Sequence, residues 1–544
     1  MLLTSKPFVG DADVMIKPTL LHELPLHYAE QRPERIALTY GAESLSYGDL
    51  AHRIMSFASA TLRLGTERGD RVGVYLEKRF EHVAAAFGIA AAGAVHVPIN
   101  PLLKPVQVAY ILRDAGARVL VTSAQRLALL GNALVDLPDL RHVIVAGDGA
   151  MSFEAAKYEL HRWDDLCSGP PHAGHRVIDG DMAAILYTSG STGSPKGVVL
   201  SHRNLVVGAE SVATYLENRP EDALLAALPL SFDAGFSQLT TAFRVGARVV
   251  LLNYLLPRNL LDTLAHERIT GLTAVPPLYI QLSQLEWPAG IAEHLRYCAN
   301  TGGHMPLETL SRLRAILPRT KPYLMYGLTE AFRATYLPPE EVDRRPDSIG
   351  KAIPNAEVLV LRDDGAPCAP DEPGELVQRG ALVALGYWND PVKTAERFRP
   401  LPADTAVREL ALPEIAVFSG DTVRRDDEGF LYFVGRRDEM IKTSGYRVSP
   451  TEVEEAIYAT RLVKEAAAFG VSHPVLGQAI VAVVTAAEGS TTTAATLLAA
   501  CREHLPLYMV PAKIDVRAGT LPRNPNGKID RKVLASEFQH AFAG

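Results

Sequence analysis

The chain has 544 residues, 47% of them hydrophobic and 22% charged, with 55 Lys+Arg against 62 Asp+Glu and a net charge of −7. That length supplies core enough for a large domain and a smaller partner, and the acidic balance excludes binding to nucleic acid or anionic membrane driven by bulk charge. Cys167, Cys298, Cys368 and Cys501 form no C-x-x-C pair, which argues against a structural zinc site and fits a reducing, cytoplasmic setting. No signal peptide or membrane span is expected, because Asp11 and Asp13 interrupt the start and the longest uncharged apolar run, Val83 to Val95, ends at His96.

Along the chain, short β-branched runs alternate with helical spacing. Arg71 to Tyr75 reads as a strand, Phe80 to Ala94 as an Ala-rich helix, Ala94 to Pro98 as a strand, Val106 to Ala115 as a helix stopped by Gly116, and Arg118 to Thr122 as a strand. Further strand signals lie at Ala183 to Tyr187, Ala247 to Leu252, Gly271 to Ala274 and Tyr323 to Met325. This alternation predicts an α/β fold, parallel-rich sheets with helices on their faces. From about residue 350 the rhythm becomes β-rich, with short strands broken by Asp363-Asp364-Gly365 and Pro373-Gly374 and a hairpin from Arg424 to Phe433. Ser449-Pro450-Thr451-Glu452 has the pattern of a capped helix start. The expected organisation is a large unit over 1–437, β-rich from about 350, and a small, mobile α+β unit over 438–544.

The segment with most chemistry is Tyr187-Thr-Ser-Gly-Ser-Thr-Gly-Ser-Pro-Lys-Gly197. Gly190 and Gly193 allow close backbone approach, residues 188, 189, 191, 192 and 194 bring hydroxyls, and Lys196 brings a cation, a set suited to a polyphosphate. It is not a Walker A loop, since Lys196 follows a proline. The Gly235-Phe-Ser-Gln-Leu239 stretch lacks the final glycine of a nucleophile elbow.

With four further segments in the same order, Tyr326-Gly-Leu-Thr-Glu330, Ser419-Gly-Asp421, Gly435 to Arg447 and Pro525-Asn-Gly-Lys-Ile-Asp-Arg531, the chain resembles the AMP-forming adenylating enzymes. That family comprises acyl-CoA synthetases, amino-acid adenylation domains and luciferases. The resemblance implies ATP-dependent activation of a carboxylic acid to an acyl-adenylate with release of pyrophosphate, then transfer to a thiol, either CoA or the phosphopantetheine of a separate carrier protein. On this likeness Thr188, Ser189, Thr192 and Lys196 would hold the β and γ phosphates, with Gly190, Ser191 and Gly193 in the same loop. Thr329 would touch the α-phosphate and Glu330 would ligate Mg²⁺. Tyr326 and Gly327 would border the nucleotide, Gly302 and Gly303 the adenine, and Asp421 with Arg436 the ribose. Lys528 would bridge the attacking carboxylate and the phosphate. Asp438 would be the hinge, and Gly445 would line a thiol tunnel after rotation of the small unit, with Lys442 and Arg447 serving either conformation. With sixteen residues after Lys528, the acceptor is expected in trans.

Phe232 and Asp233 fall where the family shapes its acyl pocket. Asp233 either anchors an ammonium, as in amino-acid activation, or caps the helix beginning near Ala234. A narrower resemblance, carried by residues 228–243 and 325–355, is to acyl-CoA ligases associated with exosortase A loci, with stand-alone prolyl-carrier-protein ligases related. Two other readings differ in class or substrate: an amino-acid ligase loading a separate carrier protein, and a non-catalytic nucleotide-binding homologue.

Overall fold

The computed structural model describes residues 17–149, 157–188, 195–401, 413–436, 439–443, 446–473, 476–490, 492–505, 507–524 and 527–542. Their strands form three sheets.

The first sheet, of fourteen strands, has a parallel half and an antiparallel half. Ile36–Tyr40, Arg248–Leu251, Ala223–Ala226, Gly271–Ala274, Tyr297–Asn300 and Lys321–Tyr326 run parallel in that order. Beyond Tyr326 the sheet continues antiparallel through Thr335–Leu337, Ser348–Ala352, Leu431–Arg436, Ile415–Arg425, Gly374–Gly380 and Ala356–Leu361. The β-rich stretch is therefore an extension of the main sheet. In the second sheet, of eight strands, Arg71–Tyr75, Val95–Pro98, Val119–Ser123, His142–Ala146 and Glu159–Arg162 are parallel, whereas Met182–Thr188 and Lys196–Ser201 form an antiparallel pair. The connection at 189–195 is too short for the dozen or so residues that a parallel crossover needs, so Met182–Thr188 and Lys196–Ser201 pair directly as a hairpin.

Helices Tyr47–Arg63, Phe80–Ala92, His202–Tyr215 and Asp233–Val245 lie between these sheets. They share one apolar core, with Ile54, Phe87, Leu205 and Phe236 packed among Leu186 and Val198 of one sheet and Leu224, Val249 and Met325 of the other. The helix read as Phe80 to Ala94 ends at Ala92, where Gly93 caps it. A third sheet of five strands begins with Ile441–Thr443 and is built on the long hairpin Val463–His473 and Gly477–Ala486. Helix Pro450–Ala459 packs on it.

One local expectation fails. Ser449 precedes that helix, but its hydroxyl is buried without a partner among the described residues and makes no cap, so the Ser-x-x-Glu box is not formed by the serine. The hydroxyl is instead directed at Gly435, 3.6 Å from where a β-carbon there would lie. Among the described residues no helix is long and apolar enough to cross a membrane.

Lys78, unremarkable in sequence, is buried where strand Arg71–Tyr75 leads into helix Phe80–Ala92. Its ammonium donates to the carbonyls of Ala227 (2.8 Å) and Leu228 (3.4 Å) and, among the described residues, meets no carboxylate. Burial alone lowers its pKa from 10.5 to about 7. The unfolded chain therefore binds one more proton than the folded chain between pH 7 and 10.5, so this residue makes stability rise with pH across that window. The difference in unfolding free energy between wild type and Lys78→Met should grow on the order of a few kcal/mol from pH 7 to pH 10. Parallel pH profiles for the two proteins would show that the lysine stays charged.

Candidate active site

Strands Tyr297–Asn300 and Lys321–Tyr326 end side by side, and the loops beyond their carboxyl ends are where open α/β sheets place ligands. After Asn300 the chain turns through Gly302 and Gly303, held by the Asn300 Nδ2 bond to the Gly303 carbonyl, 2.9 Å. Gly302 has φ +77°, and a β-carbon there would stand 3.4 Å from Val275 and 3.5 Å from Lys528 Cε. The glycine thus accepts the left-handed turn and leaves the lysine chain room.

After the second strand, the Tyr326 hydroxyl donates to Asp421 Oδ2 at 2.5 Å. Asp421 lies opposite Arg436 in the antiparallel half of the sheet, and Arg436 Nε donates to its Oδ1 at 3.0 Å. Burial first, then the Asp421 charge, push the Tyr326 phenol well above its ordinary pKa, so it stays protonated and donates. The carboxylate, almost wholly buried, still has lone pairs for two hydroxyl donors of a ligand.

At the other end, Thr188 and Lys196 are register partners that close the hairpin. The loop residues Ser189, Gly190, Ser191, Thr192 and Gly193 lie outside the described residues. The Lys196 ammonium stands 5.5 Å over the Tyr387 ring, and the Tyr387 hydroxyl donates to Glu330 Oε1 at 2.6 Å. Glu330 belongs to the single turn Thr329–Ala331. Burial, then the like charges of Lys393 and Arg397, lower the Lys196 pKa, opposed by Asp390 and Glu330. Lys393 is paired with Asp390 at 2.8 Å, yet with Arg397 it still adds positive charge beside Lys196, a surrounding that suits an anion of several charges. Tyr387, Lys393 and Arg397 were not legible as site residues. They reach Lys196 because Gly386–Tyr387 pairs with strand Lys196–Ser201 and helix Pro391–Arg397 follows.

Lys528 comes from the C-terminal segment. Lys528 is exposed to solvent as a residue, but neighbouring protein atoms lower its pKa, with Arg436 adding to the effect and Asp233, Asp421 and Glu439 opposing it. The lysine is therefore brought together with Gly302, Asp421, Arg436 and Asp233 in one cleft. Two contacts cross between the segments: His304 Nε2 lies 2.7 Å from Glu455 Oε1, and Arg461 pairs with Glu308 at 3.1 Å.

The helix-cap reading of Asp233 is corrected. Helix Asp233–Val245 has Phe232 at its N-cap position and no side-chain cap, and Asp233 is its first residue. Gly235 lets this first turn press on the preceding loop, since a β-carbon there would fall 1.8 Å from the Pro229 carbonyl oxygen. The Asp233 carboxylate turns inward and accepts from Arg333 Nη1 at 2.9 Å, the two side chains being 15% and 2% exposed. Arg333 is the major omission of the sequence reading; the signal for it is a lone charge inside the apolar run from Ala331 to Leu337. Asp438 and Gly445 lie outside the described residues. Lys442 and Arg447 are register partners on strands Ile441–Thr443 and Tyr446–Val448, with side chains outside what is described.

Comparison with known proteins agrees with this geometry. The AMP-binding enzyme family matches residues 26–388 and the AMP-binding enzyme C-terminal domain matches 452–528. An L-proline–[L-prolyl-carrier protein] ligase of Streptomyces coelicolor is 33% identical over 94% of this chain and 95% of its own. A long-chain-fatty-acid–CoA ligase of Salmonella typhimurium is 30% identical over 95% and 94%. An anthranilate CoA ligase solved with anthranoyl-AMP superposes with TM-score 0.85 at 25% identity, covering 96% of this chain and 98% of that one. ATP-bound MatB from Rhodopseudomonas palustris gives 0.83 at 26%, covering 96% and 99%. With both family matches in chain order and relatives of 30% identity or more along almost the whole length, the chain belongs to the AMP-binding enzymes and is an AMP-forming acid–thiol ligase.

Proposed function

We propose that the cleft runs both half-reactions of such a ligase, with Lys528 as the catalytic cation of the first, and that the described arrangement is the adenylating one. The observation that carries this is the meeting of Lys528 with Asp421, Arg436 and Gly302 in a single cleft. In the first half-reaction a carboxylate oxygen attacks the α-phosphorus of ATP and the bond to pyrophosphate breaks. Negative charge grows on the phosphoryl oxygens, and a positioned ammonium stabilises that growth. Thr329 would donate to the α-phosphate, while Thr188, Lys196 and the loop residues 189–193 would hold the β and γ phosphates, and Lys393 and Arg397 would screen the departing pyrophosphate. Tyr326 and Gly327 would border the nucleotide, Gly302 and Gly303 the adenine, and Asp421, steadied by Tyr326 and Arg436, would accept the ribose hydroxyls.

Glu330 suits Mg²⁺: one carboxylate oxygen takes the Tyr387 proton donor and the other is a hard ligand available to the ion. When bound, Mg²⁺ supplies charge neutralisation on the phosphates. Glu330→Gln should raise the Mg²⁺ concentration needed for half-maximal activity by roughly tenfold, and an unchanged Mg²⁺ titration would remove the assignment.

In the second half-reaction the acceptor sulfur attacks the adenylate carbonyl and AMP leaves. The small unit, from residue 438 on, would rotate about Asp438, withdraw Lys528 and bring Gly445 and its neighbours, Lys442 and Arg447 among them, to the site. Likeness to solved CoA ligases supports CoA as the acceptor. The alternative, an amino acid loaded onto a separate carrier protein, is supported by the match to proline ligases. The deciding experiment is ATP/pyrophosphate exchange with purified protein over amino acids and short and long carboxylic acids, followed by thioester formation with CoA and with a phosphopantetheinylated carrier protein. Absence of exchange with every acid would sink the reading.

A further inference from the structure

Arg333 lies in the wall of a pocket under the cleft, on the face of helix Asp233–Val245 that looks onto the parallel strands. Ser237, Gln238, Thr241, Thr273 and Met325 line it with Arg333, and its far end is closed by buried Leu216 and Tyr297. A fully buried arginine beside a binding cleft is costly unless its donors are used. Nη1 is used twice, by Asp233 and by the Phe332 carbonyl at 2.8 Å, and the Tyr215 hydroxyl donates to Met325 Sδ at 2.9 Å. Nε has no partner among the described residues.

The backbone is bent to put the side chain there. Phe332 has φ +56° and ψ −52° and is bridged by the Arg333 N–H to the Ala331 carbonyl at 2.5 Å, a strained three-residue turn. The strain is held by packing, as the Phe332 ring fills the space left by the missing side chain of Gly208, and by Gln378, which donates to the Arg333 carbonyl at 2.8 Å. Strain kept beside a binding site by surrounding structure points to use of the residue it orients.

We propose that Arg333 selects the acid: Nε donates to an oxygen on the tail of a short carboxylic acid, and the pairing with Asp233 removes the charge that an amino acid's ammonium would need. The inference rests on the ligase reading. The preferred substrates are short acids bearing a hydroxyl, an oxo group or a second carboxylate, and neither free amino acids nor long fatty acids. An ammonium entering the pocket would meet a carboxylate already neutralised by a buried guanidinium, and a long chain would meet the closed end at Leu216 and Tyr297. An unsubstituted short acid would leave Nε desolvated and unpaired, the kind of loss that gives a site built for hydrogen bonding its selectivity.

The test is ATP/pyrophosphate exchange with matched acids of about four to six carbons, unsubstituted, hydroxylated, oxo-substituted and dicarboxylic, together with proline and palmitate. The wild type should prefer at least one oxygen-bearing acid over its unsubstituted counterpart by on the order of 10- to 100-fold in kcat/KM. Arg333→Met alone would strand Asp233, so the readout variant is Arg333→Met with Asp233→Asn, which removes both charges. In that variant the preference should shrink to within about threefold, chiefly through KM for the oxygen-bearing acid, whichever of the three groups it carries. Proline or palmitate as the best wild-type substrate, or an unchanged preference in the double variant, overturns the inference while leaving the ligase intact. No exchange with any acid overturns the ligase reading and this inference with it.

Discussion

Replacing Lys528 with alanine should reduce acid-dependent ATP/pyrophosphate exchange by on the order of 10²- to 10³-fold, the loss seen when one positioned donor to a developing oxyanion is removed. Thioester formation from a preformed adenylate should survive, since the proposed rotation withdraws the lysine in that half-reaction. The environment of the lysine adds a second signature. Crowding within the cleft and the Arg436 charge lower its pKa from the ordinary 10.5. Because kcat/KM reports the free enzyme, exchange should decline as pH rises through a value below 10.5, when the ammonium loses its proton. Lys528→Arg keeps its charge across that range, so its profile should lack this decline whatever its absolute rate. Full exchange in the alanine variant would reassign the catalytic cation.

Much of this site is legible in sequence because its parts are local. Thr188 and Lys196 bracket one loop, Tyr326 and Glu330 share one strand end, and Asp421 and Arg436 each sit in a recognisable stretch; the sheet register only makes explicit that the last two face each other. What escapes is whatever depends on pairing at a distance. Tyr387 reaches Glu330 through a two-residue strand joined to strand Lys196–Ser201. Arg333 turns inward only because a positive-φ turn at Phe332 redirects it, and neither periodicity nor propensity encodes that turn. Asp233 shows the same limit in another form. An aspartate at a helix start reads as a cap, but the cap position falls on Phe232 and the carboxylate is drawn to a buried cation a hundred residues away. The antiparallel hairpin at 182–201 departs from the parallel rule through loop length, which the sequence does carry.

How Lys528 is held leads to the other large effect. Three residues beyond it, Arg531 donates through Nε (3.0 Å) and Nη2 (2.8 Å) to the carboxylate of Glu454, which also accepts the Ala468 N–H at 2.8 Å. Its Nη1 reaches Glu439 at 3.5 Å, on the chain leading from the large sheet to the small one. Arg531 thus ties the lysine's segment to helix Pro450–Ala459 and to the junction. The Glu454 side chain is 9% exposed, so Arg531→Met leaves a carboxylate buried with a single donor. Because the Arg531 side chain is 33% exposed and water partly reaches the pair, that change should cost the small unit about 1–3 kcal/mol, measured as an earlier unfolding transition in urea, and should lower exchange as well. Stability and positioning separate in the double variant Arg531→Met with Glu454→Leu. Replacing both charges by apolar groups restores much of the lost stability, because a buried pair contributes little over a well-packed apolar one. It does not restore the bidentate tie, so exchange kcat should stay low while KM for ATP stays near wild type. If the double variant regains both stability and exchange, Arg531 holds the small unit together without aiming the lysine.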